Sequence, residues 1–246
     1  MILLEVRELI KRYGGRTVVD RVSFTVNQGE IVGLLGRNGA GKTTTFRMTI
    51  GMIVPNGGTV IFEGVEVTTV PMYKRARRGM GYLSQEPSIF QRLTVRQNLL
   101  AILETMNLTR HDRDERCGQL LEQFGLTRQG GQLARTLSGG ERRKLEIARA
   151  LVTHPTMILL DEPFSGVDPI AVEELQREIR GLRDRGISIL LTDHNVRETL
   201  SVTDRSYIID DGKVLREGPP KTLVNDELVR RTYLGHTFRG DEFDEG

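Results

Sequence analysis

The residues Gly36-Arg37-Asn38-Gly39-Ala40-Gly41-Lys42-Thr43-Thr44 hold the densest chemistry in the chain. They fit the spacing GxxxxGK[ST] of a phosphate-binding loop. Glycines at Gly36, Gly39 and Gly41 let backbone N–H groups turn inward around phosphate oxygens, with Asn38 and Ala40 supplying amides between them. Lys42 is placed to reach the β- and γ-phosphates, and the Thr43 hydroxyl to ligate Mg²⁺, with Thr44 beside it. Such a loop also needs an acidic partner for the metal and the attacking water. Met157-Ile158-Leu159-Leu160-Asp161-Glu162 supplies one at the end of an apolar run. Asp161 is the expected Mg²⁺ carboxylate and Glu162 the expected general base, a task worth roughly 10²–10⁴ in rate. His194, following Leu190-Leu191-Thr192-Asp193, is expected at a neighbouring strand end, in reach of the γ-phosphate or the water. His111, His154 and His236 are read as structural.

These residues need elements to hold them. Ile31–Leu35 reads as a strand leading into the glycine loop, and Thr43–Met52 as a helix whose N-terminus adds positive potential. Further strands are expected at Leu3–Arg7, Val22–Val26, Thr59–Phe62, Gly81–Ser84, Met157–Leu160, Ile187–Leu191 and Arg205–Ile209. Asp210-Asp211-Gly212 is expected to turn into Lys213–Arg216 as a hairpin. The apolar runs at 157–160 and 187–191 predict central strands buried on both faces. Between about Val95 and Leu133 the strand signal vanishes, and Leu99, Leu100, Leu103, Met106, Leu120, Leu121 and Phe124 recur at helical spacing. Strands alternating with helices predict an α/β fold with a helical insert.

Composition bounds the remaining possibilities. The 246 residues carry a formal charge of +2 from 35 Lys+Arg and 33 Asp+Glu, with 38% hydrophobic residues, an ordinary mix for a globular chain. The single cysteine, Cys117, excludes a disulfide framework and a CxxC metal site. No apolar run approaches the roughly 20 residues that cross a bilayer. The start Met1-Ile2-Leu3-Leu4-Glu5-Val6-Arg7 has none of the zones of a signal peptide, and the expected compartment is the cytosol. The basic run Lys74-Arg75-Ala76-Arg77-Arg78 reads as a solvated helix face rather than a nucleic-acid patch.

Leu137-Ser138-Gly139-Gly140-Glu141-Arg142-Arg143 adds a second specific motif. It resembles the LSGGQ signature of ABC ATPases, with Glu in place of Gln. Locally, Ser138 and Glu141 form a capping box for a helix running to Val152. The same helix start points Ser138 and the Gly139 and Gly140 amides outward, ready for a phosphate. The resemblance covers about Leu3 to Gly218 and implies a P-loop NTPase fold, with a mixed sheet core, an antiparallel β subdomain and a helical subdomain. One domain is expected over residues 1–238, with the helical subdomain at about 95–155, a C-terminal helical extension at about 219–238 and a disordered acidic tail at 239–246.

The resemblance implies more than the motifs do alone. Tyr13 matches the aromatic that stacks on adenine, and Gln85 the glutamine that senses Mg²⁺ and the γ-phosphate. Ser165-Gly166-Val167-Asp168 is similar to the D-loop, although Asp168 before Pro169 is also a good helix N-cap. In this family the signature of one subunit covers ATP held by the P-loop of another. The implied assembly is a head-to-tail homodimer with two ATP at its interface.

Within the family, DNA-maintenance ATPases need long coiled coils between P-loop and signature, and none is present. A soluble iron–sulfur assembly ATPase has the right size. The wording around Gln85, at Asp161–Pro169 and at Tyr233-Leu234-Gly235 with Phe238 resembles the lipopolysaccharide-export ATPases of Gram-negative bacteria, with ATPases of branched-chain amino-acid importers as the nearest alternative. Two integral-membrane subunits are then expected at the segment around Phe90 and Arg92, on the cytoplasmic face of the inner membrane, with no nucleic acid. On residue chemistry alone, Ile89, Phe90 and Leu93 serve equally well to close the core over the helical insert. Likewise the 219–238 extension serves either to hold a dimer or to dock on its own subunit. Arg37, Ser84 and the acidic extension depart from the family pattern.

Overall fold

The computed structural model describes residues 1–86, 88–235 and 238. Pro87, His236 and the acidic tail at 239–246 therefore lie outside the described residues, and so does the disorder expected of that tail.

Two sheets carry the fold. The first is antiparallel, with the order β2-β1-β4-β5. Its strands are β1 (Ile2–Tyr13), β2 (Arg16–Asn27), β4 (Gly57–Phe62) and β5 (Val65–Glu66). Strand β1 outruns the expected end at Arg7. Its outer half carries Glu8, Lys11 and Arg12, but Glu8 takes a left-handed φ of 48° and the register shifts around it. The bulge lets the ladder continue to Tyr13, where Gly14 and Gly15, both at positive φ, turn the chain into β2.

The second sheet has the order β10-β9-β3-β8-β7-β6. It contains β3 (Ile31–Gly36), β6 (Met80–Leu83), β7 (Met157–Asp161), β8 (Ser188–Thr192), β9 (Arg205–Asp210) and β10 (Lys213–Gly218). All pairings are parallel except β9–β10, closed by Asp211-Gly212 at φ 44° and 75°. Every residue of β3, β7 and β8 is buried, as the apolar runs require. Their carboxyl ends, Gly36, Asp161 and Thr192, lie side by side.

Helix α1 (Lys42–Ile50) follows β3 and stops where Gly51, at φ 86°, donates to the carbonyls of Arg47 and Met48. The shorter α2 (Met72–Arg77) corrects one expectation. Lys74, Arg77 and Arg78 are exposed, but Arg75 is fully buried. Its guanidinium donates to the carbonyls of Met48, Thr49, Thr68 and Val70 at 2.6–3.1 Å. The run is thus split between a solvated face and an internal strut that satisfies the open carbonyls at the end of α1.

The expected insert comprises α3 (Val95–Leu103) and α4 (Arg110–Gln123), leading to α5 (Gly139–Leu151). Thr94, Thr109 and Ser138 each close a full capping box. Leu99, Leu103, Leu120, Leu121, Leu145 and Ala148 join these helices in one core. Then α6 (Pro169–Asp184) starts at Asp168, whose Oδ1 accepts from the Ala171 N–H at 3.1 Å.

After α7 (Val196–Leu200) and the β9–β10 hairpin, the chain forms α8 (Pro220–Asn225) and a helical turn over Glu227–Leu234. Tyr233, Leu234 and Phe238 pack against a cluster of Leu35, Leu200, Ile208 and Val229 in the same subunit. Among the described residues no helix is long and apolar enough to cross a membrane.

Candidate active site

Geometry at Gly36 and Gly41 explains why this loop demands glycine. Gly36 has φ 149°, and a Cβ there would stand 2.0 Å from the Ile209 carbonyl oxygen; at Gly41, with φ 100°, it would stand 2.6 Å from that of Val18. The loop is thereby pressed between β2 and β9, and α1 starts directly at Lys42. Lys42 Nζ donates to the carbonyls of Gly36 at 2.5 Å and Arg37 at 2.9 Å, so the ammonium lies within the curl of the loop. Burial pulls its pKa down, offset in part by the carboxylates of Glu162 and Asp193. A cation held short of solvation at the start of α1 has the charge and position to receive a phosphate.

The acidic pair stands at the end of β7. Asp161 is buried, and among the described residues it makes no ion pair. The Tyr82 hydroxyl donates to its Oδ2 at 3.3 Å, and burial raises its carboxyl. Tyr82 itself is pushed up to about 12 by burial and by Asp161. Glu162 adopts φ 47°, a left-handed conformation costly for a side-chain-bearing residue, and its N–H donates to the Thr192 carbonyl at 2.7 Å. The twist turns its carboxylate toward two further candidates. Gln85 Nε2 donates to Glu162 Oε2 at 2.9 Å, and His194 Nδ1 lies 3.4 Å from the same oxygen. Gln85, Glu162 and His194 thus converge from β6, β7 and β8, although they are far apart in the chain.

The signature residues share a cleft with two of these groups. Ser138 Oγ lies 2.8 Å from Glu141 Oε2 and accepts from the Glu141 N–H at 3.3 Å. Added Cβ atoms at Gly139 and Gly140 would meet nothing within 4 Å. Both glycines line an open cleft with Gln85, Glu162, Gly166 and Asp168. Asp168 and its neighbour Ile170 are exposed. Tyr13 is 48% exposed, with Lys11 Nζ 5.3 Å from its ring centroid.

Phe90 is 44% exposed and Ile89 buried, so only the latter closes the core. The Arg149 guanidinium stacks over the Phe90 ring at 4.5 Å, and Asn98 Oδ1 accepts from the Phe90 N–H at 2.8 Å. Arg92 is exposed beside them.

Two features of this site have no counterpart in the motifs, the Tyr82 contact to Asp161 and the buried Asp193, and Tyr233 gains a place beside the phosphate loop. The Tyr233 phenol makes no close hydrogen bond, and burial pushes it up to about 12, only partly offset by the adjacent Gly36 amide. Asp193 is marked in the sequence as a charged residue directly after a fully buried strand.

A family model for the ABC transporter matches residues 19–165. The chain belongs to the ABC transporter ATP-binding family. This cassette is 51% identical over 240 residues to the lipopolysaccharide export system ATP-binding protein LptB of Haemophilus influenzae, covering 97% of this chain and 100% of that one. It is 50% identical, with the same coverage, to LptB of Escherichia coli K12. Among solved structures it is similar to an ATP-binding cassette of an ABC transporter in its ADP conformation, with a TM-score of 0.86, 28% identity and coverage of 96% and 100%. The expected α/β P-loop cassette is therefore the fold of this chain, and its activity is that of an ABC ATPase.

Proposed function

We propose that this cassette is the ATP-hydrolysing motor of a lipopolysaccharide exporter, working as a homodimer on the cytoplasmic face of the inner membrane. The observation that carries this reading is identity of about half the residues with LptB proteins over nearly the whole chain. The convergence of Gln85, Glu162 and His194 beside Lys42 supports the hydrolytic part.

In this reading the Gly36–Thr44 loop holds the phosphates, with Tyr13 stacked on adenine. Lys42 neutralises charge on the transferred phosphoryl group. The donor set suits Mg²⁺, because a hydroxyl, a carboxylate and an amide oxygen are hard ligands, and Asp161 is a buried carboxylate. Thr43, Asp161 and Gln85 would hold Mg²⁺ together with the phosphates, and the metal would supply charge stabilisation. Glu162 takes the proton from the attacking water, and His194 and Gln85 hold that carboxylate and the γ-phosphate in register. Ser138, Gly139, Gly140 and Asp168 lie on an open face, where a second copy would present them to the first copy's ATP. Phe90 and Arg92, outside the core, would receive the membrane subunits.

Expression of this chain in Escherichia coli depleted of its own LptB tests the reading. Restored delivery of lipopolysaccharide to the cell surface, with the membrane subunits of the exporter co-purifying, is the expected result. Co-purification of importer permeases instead, without restored delivery, overturns the substrate assignment.

A further inference from the structure

The Asp193 side chain is fully buried, although no motif requires it. Its Oδ2 accepts from the Phe164 N–H at 2.8 Å, and its Oδ1 from the Asn195 N–H at 2.9 Å. Asn195 returns the contact, its Nδ2 donating to the Phe164 carbonyl at 3.2 Å. One residue earlier, the Glu162 N–H donates to the Thr192 carbonyl at 2.7 Å. The turn Glu162-Pro163-Phe164 is thus bonded at both ends to the segment Thr192–Asn195. Pro163 in its middle has no N–H to give.

This lacing answers a specific mechanical problem. Glu162 is held at φ 47° just past the last residue of β7, and such a conformation persists only when its surroundings over-determine it. Among the described residues its own carboxylate bonds only Gln85 and lies near His194, all partly exposed, and it cannot supply that constraint. The buried carboxylate of Asp193 does so from below. It also flanks the His194 ring, whose Nδ1 lies 3.5 Å from Asp193 Oδ1.

We propose that Asp193 is a positioning residue for hydrolysis. It clamps the Glu162 turn and the His194 segment into one block, so that base and histidine keep a common register. The proposal rests on Glu162 being the general base. It predicts a loss in the chemical step without a loss in nucleotide binding, because the hydrogen bonds of Asp193 go to the catalytic turn and the segment after it, and the pull of its carboxylate on Lys42 opposes rather than aids an incoming phosphate.

The test compares Asp193→Asn, Asn195→Ala and Glu162→Gln in the full chain with its membrane subunits. It measures kcat and KM for ATP, the affinity for a fluorescent ATP analogue, and the melting temperature. In Asp193→Asn the new amide nitrogen faces one of the two backbone N–H groups, which displaces the turn. A kcat loss of about 10- to 100-fold is expected, with analogue affinity unchanged within about twofold. Asn195→Ala removes only the return strut from a half-buried position, and a smaller kcat loss with unchanged affinity is expected. This second variant carries the test if Asp193→Asn does not fold. Wild-type kcat in both variants, while Glu162→Gln abolishes turnover, overturns the clamp and leaves the general-base reading standing. Parallel falls in kcat, affinity and melting temperature also overturn it, because they mark a residue that only supports the fold. Wild-type kcat in Glu162→Gln instead defeats the general-base reading beneath it.

Discussion

Glu162 shows how one side chain takes its role from three strands. It is half-buried, twisted to a left-handed conformation, and shares one oxygen between Gln85 and His194. Glu162→Gln keeps the shape and the Gln85 contact but removes the basic oxygen. ATP turnover is expected to fall by at least about 10²-fold, with ATP still bound, as read by steady-state phosphate release and equilibrium binding. Lys42 behaves oppositely. Lys42→Ala removes the ammonium that donates into the curl of the loop, and the expected outcome is loss of ATP binding itself. Because Lys42 is a buried cation whose pKa burial lowers, its removal is expected to leave the melting temperature of the nucleotide-free protein unchanged or higher. Gly36–Thr44, Asp161, Glu162 and His194 were all legible from motif and strand position. Asp193 and Tyr82 were not, since their significance is a distance to residues many positions away.

Among the elements, α1 and its surroundings set the site's geometry. Lys42 begins the helix, and its far end is fastened by Arg75 through four backbone carbonyls. Arg75→Met keeps most of the volume and removes every donor. It should leave several buried carbonyls unsatisfied and destabilise the protein by about 3 kcal/mol or more, measured by urea unfolding. Periodicity could not reveal this. A helix of six residues has too few turns to show a buried face, and a basic run is normally solvated. The longer helices were legible for the opposite reason. Leucines recurring at helical spacing from Leu99 to Leu121, the capping box at Ser138 and the Pro at the start of α6 are local devices that act wherever the helix sits.

At the scale of the molecule, one chain holds one phosphate loop and one signature, on separate parts of its surface. Gly139, Gly140 and Asp168 face an open cleft. A mixed dimer of Ser138→Arg with Lys42→Ala places both lesions on the same ATP site, whereas each homodimer carries its lesion in both. The expected outcome is ATP binding at one intact site in the mixed dimer, counted by nucleotide stoichiometry in tandem-purified complexes. No intact site in the mixture would contradict the head-to-tail arrangement. The C-terminal segment packs on its own subunit through Tyr233, Leu234 and Phe238 against Leu35 and Leu200. Truncation at Val229 is expected to lower the melting temperature by exposing that cluster, whatever its effect on dimer formation.

The phosphate chemistry, the two-sided burial of the central strands and the starts of α5 and α6 are written in neighbouring residues. Each of these depends on residues close together in the chain or on a repeating pattern. Packing alone makes Gln85, Glu162 and His194 share one oxygen, lets Asp193 stitch two of them together, turns Arg75 inward, and leaves Phe90 at the surface while Ile89 is buried. Those outcomes depend on which strand lies beside which and where a turn points. The order β3-β8-β7-β6 sets both, and hydrogen bonding across a parallel sheet leaves no local trace in the residues that it joins.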